Sequence, residues 1–317
     1  MKLSLNLLVV YVVWGSTYLA IAVADRSLPP LLMLSARFLL AGAVLFTWKR
    51  RRPTLRQWGA AAIVGSALLV IDTGGVALAE QRVDSGVAAL LIASVPLFVA
   101  LLDRVCFGIR IPVGAAAGIG VGLLGVGLLV GPSGRIDAYG ALILLIASFA
   151  WAAGSTYARV APLPEDTIVS AALQMLTAGA ILGVLGLGAG ERITHVSGAS
   201  LGAFAFLVVF GSLLAFTAYG WLLRNAPSSL VSTYAYVNPA VAVFLGWLFV
   251  GEHVGPREVV AGLVILSSVA LLAVRHERRA APEPVGEALR PYIRRQEARR
   301  SEFRSAPRLH ELPRLAA

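Results

Sequence analysis

Trp14-Gly15-Ser16-Thr17-Tyr18, in the first apolar stretch of the chain, returns as Trp151 and then Gly154-Ser155-Thr156-Tyr157, with two extra residues after the tryptophan. A second pair of segments keeps nearly the same offset. Ser85 to Pro112, with Pro96 inside it and Gly108 after it, aligns with Ser228 to Pro256, with Pro239 and Gly251, and Gly118 then aligns with Gly262. The chain therefore reads as two copies of one unit, and an internal repeat decides the architecture before any single residue does.

Between these markers lie apolar stretches of roughly 20 residues, each long enough to cross about 30 Å of hydrocarbon as a helix. They fall at 4 to 24, 30 to 48, 58 to 79, 84 to 102, 112 to 130, 138 to 158, 167 to 188, 200 to 223, 229 to 250 and 257 to 274. Each unit holds five, an odd number, so the second must enter the membrane in the opposite orientation. The expected fold is an all-α integral membrane protein of ten transmembrane helices arranged as two inverted five-helix repeats, 4–130 and 137–275, followed by a basic tail at 276–317. A membrane barrel would show weaker, alternating segments of about ten residues. Inverted repeats place a substrate site near the bilayer midplane, between the units.

Composition agrees. Of 317 residues, 58% are hydrophobic and 14% charged, against about 25% charged in soluble domains. Lys2, the apolar run and Ala22-Val23-Ala24 resemble a secretory signal, but the run is longer than such signals use, and its recurrence at Trp151 marks the first stretch as a true span. The net charge of +10 is a matter of topology. Lys49, Arg50, Arg51, Arg52 and Arg56 share one side with Arg104, Arg110 and the arginines from Arg275 to Arg314, whereas Arg26, Arg82, Arg135, Arg192 and Arg257 are spread one per loop on the other. The positive-inside rule makes the first side cytoplasmic, with both termini. Anionic lipid headgroups suffice as partners of this charge, and nucleic acid is not needed. Cys106 is the only cysteine, so no intramolecular disulfide forms.

Ionisable side chains within the spans are functional candidates because they are expensive there. Arg37 and Asp72 lie at matching depths, each roughly 10 Å from the extracytoplasmic face at 1.5 Å per residue. An ion pair between them is expected, and protonation of Asp72 would loosen it and couple transport to protons. The competing readings are a permanent structural pair and an Arg37 that snorkels outward. Pro96 and Pro239 occupy equivalent places, where each removes a hydrogen bond and frees the carbonyl of Ile92 or Ala235; interrupted helices at matching positions point to a site, although hinges and packing kinks are also common.

Ser232, Tyr236 and Pro239 share one helical face, with Thr233 and Asn238 beside it. Tyr11, Trp14 and Tyr18 line up on the first span, and Ser148, Trp151 and Ser155 on the sixth. Trp48, Trp58 and Trp221 sit at span ends and suit the interfacial belt, but Trp14 and Trp151 sit mid-span and are assigned to a cavity or to packing. Gln174 reads as an interhelical hydrogen bond. Gly114, Gly118 and Gly122 permit close packing, within the chain or in a homodimer.

Other chemistries fail on context. The only lysines, Lys2 and Lys49, do not follow glycine, so no phosphate-binding loop exists. Gly198-Ala199-Ser200-Leu201-Gly202 has the spacing of a nucleophile elbow but enters a span rather than linking strand to helix. The histidines His195, His253, His276 and His310 lack metal-ligand spacing. No enzyme activity, cofactor or metal is expected. The proline- and arginine-rich tail is expected to be disordered, with a basic interfacial helix near 286 to 304 as the weaker alternative.

Trp14-Gly15-Ser16-Thr17-Tyr18, Arg37-Phe38-Leu39, Ser85-Gly86-Val87-Ala88-Ala89, Val95-Pro96-Leu97-Phe98, Leu223-Arg224-Asn225 and, above all, Ser232-Thr233-Tyr234-Ala235-Tyr236-Val237-Asn238-Pro239 with Gly251-Glu252 carry a resemblance. The chain resembles the EamA-type branch of the drug/metabolite transporter superfamily, most of all its YedA-like bacterial inner-membrane permeases. The resemblance covers the membrane region and stops near Arg275, and the first unit reads Gly108-Ile109 where the second has Gly251-Glu252. It implies ten helices, a central cavity, and export or exchange of amino acids, metabolites or drugs without ATP. The alternative reading is a membrane-embedded sensor or a passive conductor of lipid or solute.

Overall fold

The structure is a computed structural model and describes residues 2–49, 51–108, 137–226, 228–231 and 233–277, with isolated positions between 117 and 128. Among these residues the regular structure is helical, with no strand. Seven helices are long and apolar enough to cross a membrane: α1 (Lys2–Ala24), α2 (Pro30–Lys49), α3 (Leu55–Glu80), α4 (Ser85–Phe107), α5 (Ala138–Ala158), α6 (Thr167–Gly188) and α7 (Gly198–Asn225). They are followed by α8 (Ser228–Val231), α9 (Tyr234–Val250) and α10 (Pro256–Glu277). The expected fifth span falls largely outside the described residues, as do residues 278–317 of the tail, and the expected ninth span is divided between α8 and α9.

Local chemistry sets the helix ends. Thr54 and Gln57 form a capping box at the start of α3, with Gln57 N donating to Thr54 Oγ1 at 3.3 Å and Thr54 N to Gln57 Oε1 at 2.9 Å. Asp137, Asp166 and Ser197 cap α5, α6 and α7 through their side-chain oxygens. Gly108 and Gly251 end α4 and α9 at φ 69° and 72°, a left-handed conformation that glycine adopts without steric penalty.

The two halves of the chain interlock. Ser35 Oγ on α2 donates to Gly179 O on α6 at 2.8 Å, and a Cβ on Gly65 of α3 would lie 2.6 Å from Gln174 O of α6. Lys49, at the end of α2, pairs with Asp166 at 3.1 Å. Large apolar side chains such as Leu124, Val184 and Phe249 remain exposed on the outside, a surface suited to lipid. Trp48, at 70% exposure, sits at the end of α2, as an interfacial residue would.

Three helices widen into π-helical turns: α1 at Val10–Trp14, α3 at Ser66–Thr73 and α7 at Leu207–Phe216. Such turns often mark functional sites. Here all three contribute residues to one central cavity.

Candidate functional site

The cavity, of about 70 Å³, lies among α1, α2, α3, α4, α5, α7 and α9. That volume holds several waters. Its aromatic wall includes Trp14, Tyr18, Trp151 and Tyr234, and its charged side chains are Arg37 and Asp72.

Trp14 is the hub of the aromatic wall. Its ring meets Trp151 edge-on at a centroid distance of 5.2 Å and 87°, Tyr234 edge-on at 5.6 Å and 89°, and Tyr219 at 4.8 Å and 47°. Trp151 Nε1 donates to the Tyr219 hydroxyl at 3.1 Å, and that hydroxyl shares a second hydrogen bond with Ser155 Oγ at 2.9 Å. A Trp or Tyr buried in an apolar span needs such a partner for its polar atom. The structure thus brings Trp14, Tyr18, Trp151 and Ser155 to one region and adds Tyr219 and Tyr234, which sequence reasoning missed.

Arg37 is 5% exposed and Asp72 6%. Burial at that level rules out an Arg37 that snorkels to the headgroups. Nor do the two side chains form the expected ion pair: the ion pairs among the described residues are Lys49–Asp166, Arg82–Asp137 and Arg159–Asp103. Arg37 Nε donates instead to Ser212 Oγ at 2.8 Å, in the π-helical turn of α7. The guanidinium stands over the Phe38 ring at 5.0 Å. Arg37 Nη1 and Asp72 Oδ1 are both buried without a hydrogen-bond partner.

The remaining candidates are placed differently. Asn238, with its amide nitrogen facing two carbonyls, donates to Tyr11 O at 3.0 Å and Tyr234 O at 3.2 Å, and so ties α9 to α1. Ser232 and the Tyr236 side chain lie outside the described residues. Helix α4 is interrupted at Ala93 and Ser94, and Pro96 sits in the first turn after the interruption, where a missing N–H is harmless. Pro239 lies inside α9 and faces a lateral groove toward α10 rather than the cavity. Gln174 Nε2 donates within its own helix to Ser170 Oγ at 3.0 Å. Gly122 packs inside the chain, where a Cβ would lie 2.7 Å from Leu97 Cδ1.

At one end of the bundle, carboxylates gather. Glu191 accepts from Leu31 N at 3.2 Å and Leu32 N at 2.8 Å, capping α2, and Glu252 caps α4 in the same way. Asp25, just beyond α1, has neither carboxylate oxygen paired; burial, reinforced by the nearby Glu191 charge, raises its pKa to about 8. Burial first, and then the Glu252 charge, raises Asp84 as well.

The EamA-like transporter family model matches the chain twice, over residues 1–131 and 138–274. The chain belongs to this family. It is 39% identical over 276 residues to the uncharacterized inner membrane transporter YedA of Escherichia coli (strain K12), covering 84% of this chain and 89% of that protein. The uncharacterized transporter YoaV of Bacillus subtilis (strain 168) is 23% identical over 291 residues, 88% of this chain and 99% of YoaV. A solved crystal structure superposes with a TM-score of 0.65 at 20% identity, covering 87% of this chain and 98% of that one; at that identity the likeness is one of fold alone. This EamA-family chain is thus a helical membrane protein whose relatives are named as transporters.

Proposed function

We propose that this chain is a secondary transporter, not an enzyme, that exports or exchanges small solutes across the cytoplasmic membrane by alternating access. Its units would be the inverted five-helix repeats 4–130 and 137–275, with ten spans and both termini in the cytoplasm. The observation that carries this reading is the shared construction of the cavity: Trp14, Arg37 and Asp72 come from the first family match, and Trp151, Ser212 and Tyr234 from the second. A site built from both units changes its exposure when one unit rocks against the other.

Two further features support the symmetry. The π-helical turns at Ser66–Thr73 and Leu207–Phe216 fall in helices that the repeat makes equivalent, and Gly108 and Gly251 end equivalent helices in the left-handed region. Trp14, Tyr18, Trp151 and Ser155 then form or brace the wall, and the interruption before Pro96 acts as a hinge in α4. Asp72 is the group on which proton coupling acts, since a buried carboxylate facing the cavity is where a proton and a conformational change meet.

Inside-out vesicles bathed in a pooled mixture of metabolites and amino acids test this. Mass spectrometry of the vesicle contents is expected to show a solute accumulated only where the protein is present, and lost with a proton ionophore or with Asp72→Asn. Accumulation that survives both would remove the proton coupling and leave transport standing. No protein-dependent flux of any solute would contradict the reading.

A further inference from the structure

A lateral groove of about 760 Å³ runs between α9 and α10, apart from the central cavity, with which it shares no described residue. Its walls are apolar, with Val243, Phe244 and Trp247 from α9 and Val259, Leu263 and Leu266 from α10. Trp247 and Leu263 are 58% and 60% exposed, so no described part of the chain covers them. Leu90 of α4 closes the floor, where a Cβ on Gly262 would lie 2.9 Å from its Cδ2. The lining runs from Glu258 to Leu266 along α10, about 12 Å at 1.5 Å per residue, and from Gly251 to Pro239 along α9, about 18 Å. That depth is one leaflet, half of about 30 Å of hydrocarbon. A partner helix or a second copy of this chain would need a face running the whole thickness, whereas an acyl chain of one leaflet needs only this.

The mouth of the groove is acidic. Glu252, His253 and Glu258 line it, and Asp84 stands close enough for the charges of all three to act on it. Arg257 is engaged beside it, with Nε donating to Leu128 O at 2.7 Å. Glu252 is held by the first N–H groups of α4. Glu258 has no such hold: its Oε2 is buried without a hydrogen-bond partner among the described residues. The dipole of α10 favours a carboxylate in the first turn, but a dipole supplies no donor to that oxygen. A buried polar atom left unpaired is costly, and the donor missing here is one that a ligand's headgroup can bring.

From this geometry we infer that the groove is a binding site for a phospholipid with a primary-ammonium headgroup, one acyl chain lying between α9 and α10 and the ammonium donating to Glu258 Oε2. The site goes beyond the transporter reading, since a chain that moved no solute would still hold this lipid. Headgroup chemistry sets the choice. A primary ammonium carries three N–H donors. A trimethylammonium has the charge but no donor, and leaves Oε2 unsatisfied. A phosphoglycerol headgroup brings donors but also a net negative charge, set against Asp84, Glu252 and Glu258. Phosphatidylethanolamine should therefore bind at least about tenfold more tightly than phosphatidylcholine or phosphatidylglycerol, the ratio that one hydrogen bond to a charged group supplies.

The test uses the full chain in phosphatidylcholine nanodiscs, with a small fraction of the lipid brominated in its acyl chain and carrying an ethanolamine, choline or glycerol headgroup. Bromine quenches tryptophan fluorescence on contact, and Trp247 lies in the groove; the difference between the parent and Trp247→Phe isolates its signal. The expected result is half-maximal quenching of Trp247 by the brominated ethanolamine lipid at a mole fraction at least about tenfold lower than for the other two. Glu258→Gln should remove most of this preference. Ala240→Phe, which fills the groove without touching its charges, should leave only the equal, weak quenching of surrounding lipid. The comparison of headgroups in the parent stands by itself if either variant does not fold. Equal quenching by the three lipids would mean ordinary boundary lipid and overturn the inference, as would a preference for the choline or glycerol headgroup. No quenching by any of them would show the groove covered by protein, from a second copy or from this chain, and would overturn it as well.

Discussion

Glu252, in the loop after α9, lays its carboxylate on the first turn of α4 at Ser85. Its Oε1 accepts from Ser85 N at 3.0 Å and Ser85 Oγ at 2.6 Å, and Oε2 accepts from Gly86 N at 3.1 Å. The first N–H groups of a helix have no partner within it, and the helix dipole favours an anion there. Because Glu252 belongs to the second family match and Ser85 to the first, this cap also ties the two parts together. Glu252→Gln turns an amide nitrogen toward N–H donors. It should destabilise by about 1.5–3 kcal/mol, the range for hydrogen bonds to charged groups. The apparent Tm in detergent reads this, and an unchanged Tm would contradict the capping role.

Tyr219 holds Trp151 and Ser155 through one hydroxyl. Tyr219→Phe keeps the ring contacts and strands the indole N–H, with an expected loss of about 1–3 kcal/mol. In a double-mutant cycle with Trp151→Phe the two changes should be non-additive by at least about 0.5 kcal/mol. Strict additivity in the thermal-shift cycle would show that the hydrogen bond contributes nothing.

Asp25 supplies a pH dependence. Its carboxyl ionises near 3.8 in the unfolded chain and at about 8 in the folded one, raised by burial and then by Glu191. The folded state therefore binds the extra proton between these values, and stability falls as pH rises from about 4 to about 8. Asp25→Asn removes this loss. The variant should match the parent at pH 4 and exceed it in apparent Tm at pH 8; equal Tm values at both pH values would count against a buried, protonated Asp25.

Gly65 is where α3 touches the backbone of α6, and a Cβ there would lie 2.6 Å from Gln174 O. Gly65→Ala should push the helices apart and destabilise by about 1–3 kcal/mol, the usual range for overpacking. Gly59, with open space around its would-be Cβ, is the control. Gly59→Ala should be neutral or slightly stabilising, because alanine is the better helix former. Equal effects of the two substitutions on apparent Tm would remove the packing argument.

The aromatic hub was legible because Trp14 and Trp151 sit mid-span, where an interfacial belt does not reach. Arg37 and Asp72 were legible because charge in a span is rare. Their partners were not. A regular helical phase joins Ser232, Tyr236 and Pro239 on one face, whereas Tyr234, two residues before Tyr236 and so on a different face of α9, lines the cavity; Ser232 and the Tyr236 side chain lie outside the described residues. The π-helical turn in α7 shifts the phase of the residues around it, and Ser212, its hydrogen bond to Arg37 and the position of Tyr219 could not be read from a period of 3.6. Glu252 stood out as part of Gly251-Glu252, but its role depends on a helix more than 160 residues earlier in the chain, which no local pattern encodes.

Alternating access requires that contacts between the two units break at one end while the cavity stays intact. Ser85→Cys and Glu252→Cys in a Cys106→Ala background, joined by a short bis-methanethiosulfonate reagent, lock one such contact. Counterflow of the solute identified in vesicles is then measured before and after reduction. Counterflow abolished by the cross-link and restored by reduction is the predicted result, whereas undiminished counterflow through the locked protein would contradict transport by movement of one unit against the other.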